Sequence, residues 1–425
     1  MDTKRLTKVT AGCTVAMLIP TIILGWWAID WAQGVAKWSE AADEFPTVDE
    51  LRGPAIPDAE NAALVYQQAW EALDLTDSEG RLLASSDDPA VLAPILAKNR
   101  EPLRLFHEAA LMEHCRFEGE PDPSGIGLLF PHLSPMRDLA RLLRAEVLVA
   151  LSRGDTDRAL HAIEDPTRHV AQRFQSPCNI IDFLSASSHH AYAEQSLGYL
   201  VAATDLPAER SVALRQRLLA LTPDAACVAA TRIDIALALE DFGSMGERDA
   251  PANDARAQPL RTASPNLPYS LLLVLNRAKF MQVAQAILEK ADVPWRDIAR
   301  MELTPVPEGM LYPFVSLMLP FGNPARVRDS DLALREMMVV ALDISAFAAE
   351  NGRLPASLDE LPQSDEPDYA LDPFSGERLR YEPGEGRAFK LWSVGRDLDD
   401  DGGVARGDKP DLSPDEIDLV FRVSP

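Results

Sequence analysis

The stretch Leu371-Asp372-Pro373-Phe374-Ser375-Gly376, followed by Leu379-Arg380-Tyr381 and then by Phe389-Lys390-Leu391-Trp392-Ser393-Val394-Gly395-Arg396-Asp397-Leu398-Asp399-Asp400-Asp401-Gly402-Gly403, decides the fold of the C-terminal part. Asp-Pro with Ser-Gly behind it is turn chemistry: the carboxylate bonds downstream backbone, Pro sets φ, and Gly accepts positive φ. Residues 379–382 and 388–394 then read as two strands joined by a hairpin loop at Pro383-Gly384-Glu385-Gly386. Their alternation puts Phe389, Leu391 and Ser393 on one face and Lys390, Trp392 and Val394 on the other.

The strand runs out at Gly395 into a dense acidic loop. Asp397, Asp399 and Asp401 stand at positions 1, 3 and 5, with Gly402 at 6, Val404 at 8 and Asp408 at 12. That is the oxygen-ligand spacing of a calcium loop, in which alternate residues turn inward and Gly permits the bend. Position 12 is Asp rather than Glu, and the loop follows a strand, so the paired helices of an EF-hand are missing. The competing reading is a solvated acidic loop. Acids gathered this closely repel one another without a cation, which favours Ca2+ with Asp397, Asp399, Asp401 and Asp408 as candidate ligands.

Moving outward, residues from Asp331 carry a helical face of Leu334, Met337, Met338, Ala341, Ile344, Ser345 and Ala348. Gly352 ends that helix and Pro355 forbids its continuation. Ser357 caps a short helix over Leu358 to Leu361, and Ile417 to Val423 alternates as a last strand. Residues 330–425 are therefore expected to form a small α+β domain, one helix under a three-stranded antiparallel sheet.

The order Asn351-Gly352-Arg353-Leu354-Pro355, Leu371 to Gly376, Tyr381 and Leu391 to Asp397 resembles the globular part of the major pseudopilin of bacterial type II secretion. The resemblance covers roughly residues 330–425, about a quarter of the chain. It implies a small sheet on a helix and a structural calcium near Asp397, with some ligands supplied by backbone carbonyls. It also implies a link to type II secretion or envelope assembly. The N-terminus lacks the leader, cleavage site and early Glu of a pseudopilin, so polymerisation into a pilus is not expected.

Residues 11–29 carry no charge and follow Lys4, Arg5 and Lys8. At about 1.5 Å per residue the run reaches across a bilayer core. Basic residues before it keep the N-terminus cytoplasmic, and Trp26, Trp27 and Trp31 suit the outer interface. A cleaved signal peptide is the rival, but no small-x-small site follows the run. The expectation is a cytoplasmic tail over 1–10, an uncleaved transmembrane helix over 11–31, and the bulk of the chain in the periplasm or otherwise outside the cytoplasm. The net charge of −25 disfavours nucleic acid. Cys13 falls in the span, and Cys115, Cys178 and Cys227 are far apart. One bridge among them is open, with buried free thiols as the ordinary reading.

Residues 32–57 read as a connection and 58–300 as a mainly α domain of irregular helical hairpins, with Asp58 capping the first helix. Helical patterns lie over 89–98, 100–116, 135–153, 156–174, 178–202, 207–221, 223–242 and 267–290. Leu139 to Phe174, turning at Gly154-Asp155, resembles a tetratricopeptide-type hairpin, without a regular 34-residue period. Residues 243–266 form a polar loop, and the proline-rich 301–329 a hinge.

His107-Glu108 with His114 misses the zinc-peptidase spacing, since Leu111 stands where the second His belongs. His189-His190 point to different helix faces, and Ser185, Ser187 and Ser188 beside them read as a run of small helical residues. No nucleophile elbow, phosphate loop or dinucleotide fingerprint occurs. The reading is a non-catalytic, membrane-anchored interaction scaffold with protein partners in the cell envelope. The competing class is an envelope hydrolase whose site in the helical domain no motif reveals; a concave pocket with mutually hydrogen-bonded titratable groups would favour it.

Overall fold

The computed structural model describes residues 28–117, 120–121, 128–176, 179–247, 269–301, 324–364, 368–405 and 417–424. The chain divides into two compact units: Met1–Thr47 with Ile235–Ile287 and Thr304–Leu319, and Val48–Asp234 with Leu288–Leu303 and Pro320–Pro425.

The larger unit is mainly helical. In chain order it carries α1 (Ala62–Glu71), α2 (Asp77–Ser85), α3 (Pro89–Lys98), α4 (Arg100–Ala110), α5 (Leu133–Ser152), α6 (Thr156–Gln175), α7 (Ile180–Ala203), α8 (Ala208–Leu219) and the start of α9 (Pro223–Glu247). Local chemistry sets many starts. Asn61 accepts from the Ala63 amide ahead of α1, Thr76 and Glu79 form a reciprocal capping box at α2, and Asp88 caps α3 with Pro89 behind it. Gly154, at φ +70°, turns the chain between α5 and α6, and Asp155 then caps α6 by accepting from the Arg158 amide. Helices α5, α6 and α7 pack on one another, while α1 lies on α4 and α3 on α5.

The first helix begins at Ala62, so Asn61 rather than Asp58 is its cap; Asp58 opens a short 3-10 turn. The helix expected over 100–116 stops at Ala110, because the next segment runs beside α1: the Ala62 amide donates to the His114 carbonyl. Helix α2 has no counterpart among the expected elements, since Gly80 and its serines hide a weak apolar pattern.

The C-terminal part shares this unit. Helix α11 (Pro324–Asn351) begins within the stretch expected to be a hinge, and the residues from Met337 to Leu342 are buried all round its circumference. It packs on α7 and α8 as well as on the sheet, so no single apolar stripe describes it. Strands β1 (Arg380–Pro383), β2 (Phe389–Ser393) and β3 (Leu419–Val423) form the antiparallel sheet in the order β1-β2-β3, with Tyr381 opposite Leu391 and Leu391 opposite Phe421. Phe389, Leu391 and Ser393 are the buried face of β2. One apolar core runs from Val147 and Leu160 through Leu197 and Met338 to Leu391 and Phe421. At Gly198 a Cβ would lie 3.1 Å from the Arg422 carbonyl, so the absence of a side chain on α7 lets β3 approach.

In the smaller unit residues 28–43 are helical and α10 (Tyr269–Leu288) packs Phe280 against Phe242, ring centroids 5.7 Å apart. Arg277 pairs with Asp43 at 2.6 Å. Ser270–Leu288 is, among the described residues, the one helix long and apolar enough to cross a membrane by length and composition, and half of that window is buried. The transmembrane helix expected over 11–31 lies outside the described residues up to residue 27; Ile29 and Trp31, within the helical part, are exposed. The polar loop 243–266 lies outside them from residue 248 onward, α9 occupying its first residues.

Candidate functional site

The predicted metal loop leaves the sheet at the end of β2. Trp392 donates to Asp400 at 2.9 Å, and Arg380 reaches the same carboxylate at 3.1 Å. Asp397 accepts from the Asp399 amide, and Leu398 sits at φ +67°. Burial first, then the nearby charges of Asp401 and Asp399, raise the Asp397 carboxyl above the ordinary range, against the pull of backbone hydrogen bonds. The residue that organises the loop is Asp418, which the sequence pattern did not single out. It is buried and accepts from the amides of Asp401, Gly403 and Val404, at 3.4, 2.7 and 3.3 Å. Among the described residues no group of three or more His, Cys, Asp or Glu side chains is arranged to hold a metal ion. Asp408, the fourth predicted ligand, lies outside the described residues.

A second site lies in the helical layer. A cleft of about 760 Å3 opens between α3, α4, α5 and α6. At its floor His107 from α4 spans two carboxylates, Nδ1 to Asp165 of α6 at 2.6 Å and Nε2 to Glu146 of α5 at 3.1 Å. Burial alone would lower the imidazole pKa; the hydrogen bonds and charges of Asp165 and Glu146 overcome it and hold His107 at about 9. Arg158 also pairs with Glu146 at 2.7 Å, and Arg168 with Asp165. The imidazolium therefore donates at both nitrogens and has no lone pair for base catalysis. The apolar part of the lining is Leu96, Leu103, Val149 and Ala150, all buried, and the exposed Leu111.

The sequence placed His107 beside Glu108, yet Glu108 pairs with Arg104 and the true partners come from other helices, 39 and 58 residues away. Only an acidic residue on a neighbouring buried face could have signalled this. His189 lies with its ring nitrogens 2.9 Å from the carbonyls of Ser185 and Met136, and the neutral ring donates to one of them. Burial lowers its pKa to about 4. His190 meets Asp331 of α11 at 3.2 Å, and the Ser187 hydroxyl donates to the same carboxylate. The aspartate lies between Ser and His, so this is not a nucleophile-base relay. Cys115 and Cys227 are buried free thiols, and burial pushes Cys227 up to about 12. Cys13 and Cys178 lie outside the described residues.

Comparison with family models, with curated proteins and with solved structures finds no match to this chain.

Proposed function

We propose that the chain is a single-pass, membrane-anchored cell-envelope protein, inserted in the inner membrane with its bulk in the periplasm, whose helical layer is a non-catalytic scaffold for protein partners. The observation that carries this reading is the cleft: its imidazole and its two buried carboxylates are consumed by one another and by arginines, leaving Leu111, Arg100 and Arg153 as its exposed groups without such partners. Such a surface suits recognition better than turnover. The expected result of placing a photo-crosslinking residue at Leu111 in intact membranes is protein adducts that the same residue at exposed Val212, on α8, does not give. Equal labelling from both positions would remove the scaffold reading. The hydrolase reading keeps one point in its favour, the mutual hydrogen bonding of His107, Asp165 and Glu146 inside a concavity. It requires the protonated His107 to act as an acid, so turnover lost in His107→Gln would establish it instead.

The resemblance to the pseudopilin domain supplies the second part of the proposal, a calcium ion held by Asp397, Asp399, Asp401 and Asp408. The 1, 3, 5 spacing of Asp397, Asp399 and Asp401 ahead of Gly402 is the feature in its favour, since a bound cation offsets the repulsion among such acids. A ligand that binds only the folded state adds about 2.7 kcal/mol at a hundredfold excess over its dissociation constant. Chelator is therefore expected to lower the melting temperature of the detergent-solubilised full chain by several degrees, and Asp397→Ala to abolish the difference. Superimposable melts with and without calcium would dispose of the metal.

A further inference from the structure

We propose that the cleft above His107 binds an acidic peptide segment bearing an apolar side chain; the proposal rests on the scaffold reading and names the chemistry of its partner. The lining holds six cationic groups, Arg100, Arg104, Arg153, Arg158, Arg168 and the imidazolium of His107, against the four carboxylates Glu108, Glu146, Asp155 and Asp165. Glu101 and Glu164, just outside the lining, pair with Arg104 and Arg168, so what the cleft offers is two particular cations rather than an excess of charge.

All four carboxylates are already engaged. Glu108 pairs with Arg104, Asp155 caps α6, Glu146 takes His107 and Arg158, and Asp165 takes His107 and Arg168. Those two cations are Arg100 and Arg153, both exposed and without an ion pair among the described residues. Arg100 is the first residue of α4, where the helix dipole disfavours a cation, so helix stability does not account for it. Guanidinium groups with unused donors bind carboxylates in a fixed fork geometry.

The apolar part of the lining selects further. Leu111 is 71% exposed, more than any other large hydrophobic residue among those described. It lines the same cleft as Arg100 and Arg153, in which Leu96, Leu103 and Val149 are themselves buried. A small inorganic anion would satisfy Arg100 and Arg153 but leave this surface wet. A peptide that alternates carboxylates with a leucine-sized side chain covers both.

The test uses the full chain in detergent and fluorescence anisotropy. The probe is fluorescein-labelled Asp-Glu-Leu-Glu-Asp, and the neutral control is Asn-Gln-Leu-Gln-Asn. The acidic probe is expected to bind at least about tenfold more tightly than the control, and to weaken as salt rises from about 50 to about 500 mM. Arg100→Glu and Arg153→Glu are each expected to weaken it about tenfold and Leu111→Ser several-fold. Arg300→Glu, an exposed cation away from the cleft, is expected to change nothing. All these positions are exposed, and melting curves check that the variants fold. Equal binding of the two peptides, equal loss in Arg300→Glu, or displacement of the probe by inorganic phosphate at the peptide's own concentration overturns the proposal; the last marks a small-anion site. Adducts at Leu111 with no binding of the acidic probe sink this inference alone, whereas absence of adducts there sinks the scaffold reading beneath it.

Discussion

Asp372→Ala is expected to cost about 4 kcal/mol of stability, the loss of several charge-assisted hydrogen bonds with their donors left buried. The carboxylate is 1% exposed and gathers four donors. Two belong to its own turn, the Phe374 amide at 3.0 Å and the Ser375 hydroxyl at 2.9 Å. Two belong to the end of β2, the Ser393 hydroxyl at 2.7 Å and the Val394 amide at 3.2 Å. The side chain thus ties the turn before the sheet to the point where the chain leaves it. Gly395 stands next, at φ +75°, where a Cβ would come within 2.6 Å of the Ile417 carbonyl. Asp372→Asn keeps one acceptor oxygen and is expected to lose about half as much, while Ser393→Ala removes one donor to Asp372 and the acceptor of the Gly395 amide and should cost about 2 kcal/mol. The measurement is a denaturant titration of the full chain, because the sheet shares its core with α7 and α11. A loss below about 1 kcal/mol for Asp372→Ala would show that water replaces these contacts.

This network explains how far the sequence could be read. Turn residues and strand alternation between Leu371 and Val394 are local signals, and local chemistry placed the hairpin within a residue or two of its observed bounds. The seat of the sheet was not legible. Helix α11 is buried all round because α7, α8 and the strands each claim part of it. Periodicity reports one apolar face and cannot report three partners. Gly198 reads as a helix-weakening residue until β3 is seen against it. The same limit governs the sites. Asp397, Asp399 and Asp401 were found because they are close in sequence; Asp418, which holds their loop, is not. His107 was noticed for a spacing it fails to meet, while Glu146 and Asp165 reach it only through the packing of α4 on α5 and α6.

His107→Gln is expected to remove about 3 kcal/mol at pH about 6 and almost nothing at pH about 9.5. The sign follows from the direction of the shift. His107 is held at about 9, above its ordinary value of 6.5, so its contribution is complete below pH 6.5 and disappears as the pH rises through about 9. The displacement, at about 1.4 kcal/mol per pH unit, sets the magnitude. The side chain is 28% exposed, so screening trims this figure rather than cancelling it. Two buried acids change stability over a neighbouring range. Burial raises Glu194 to about 8, and raises Asp234 to about 7 against one backbone hydrogen bond from Ile180. Each makes the fold lose stability between the ordinary carboxylate range and its raised value. The wild-type curve therefore falls with rising pH for several reasons, the acids from the carboxylate range up to about 8 and His107 from 6.5 up to about 9, and its shape alone assigns nothing. The difference between wild type and His107→Gln isolates the imidazolium, since Glu194 and Asp234 titrate in both proteins. Chemical denaturation at several pH values gives that difference directly. If it stays constant from pH about 6 to about 9.5, His107 is neutral in the folded protein and the cleft holds one cation fewer.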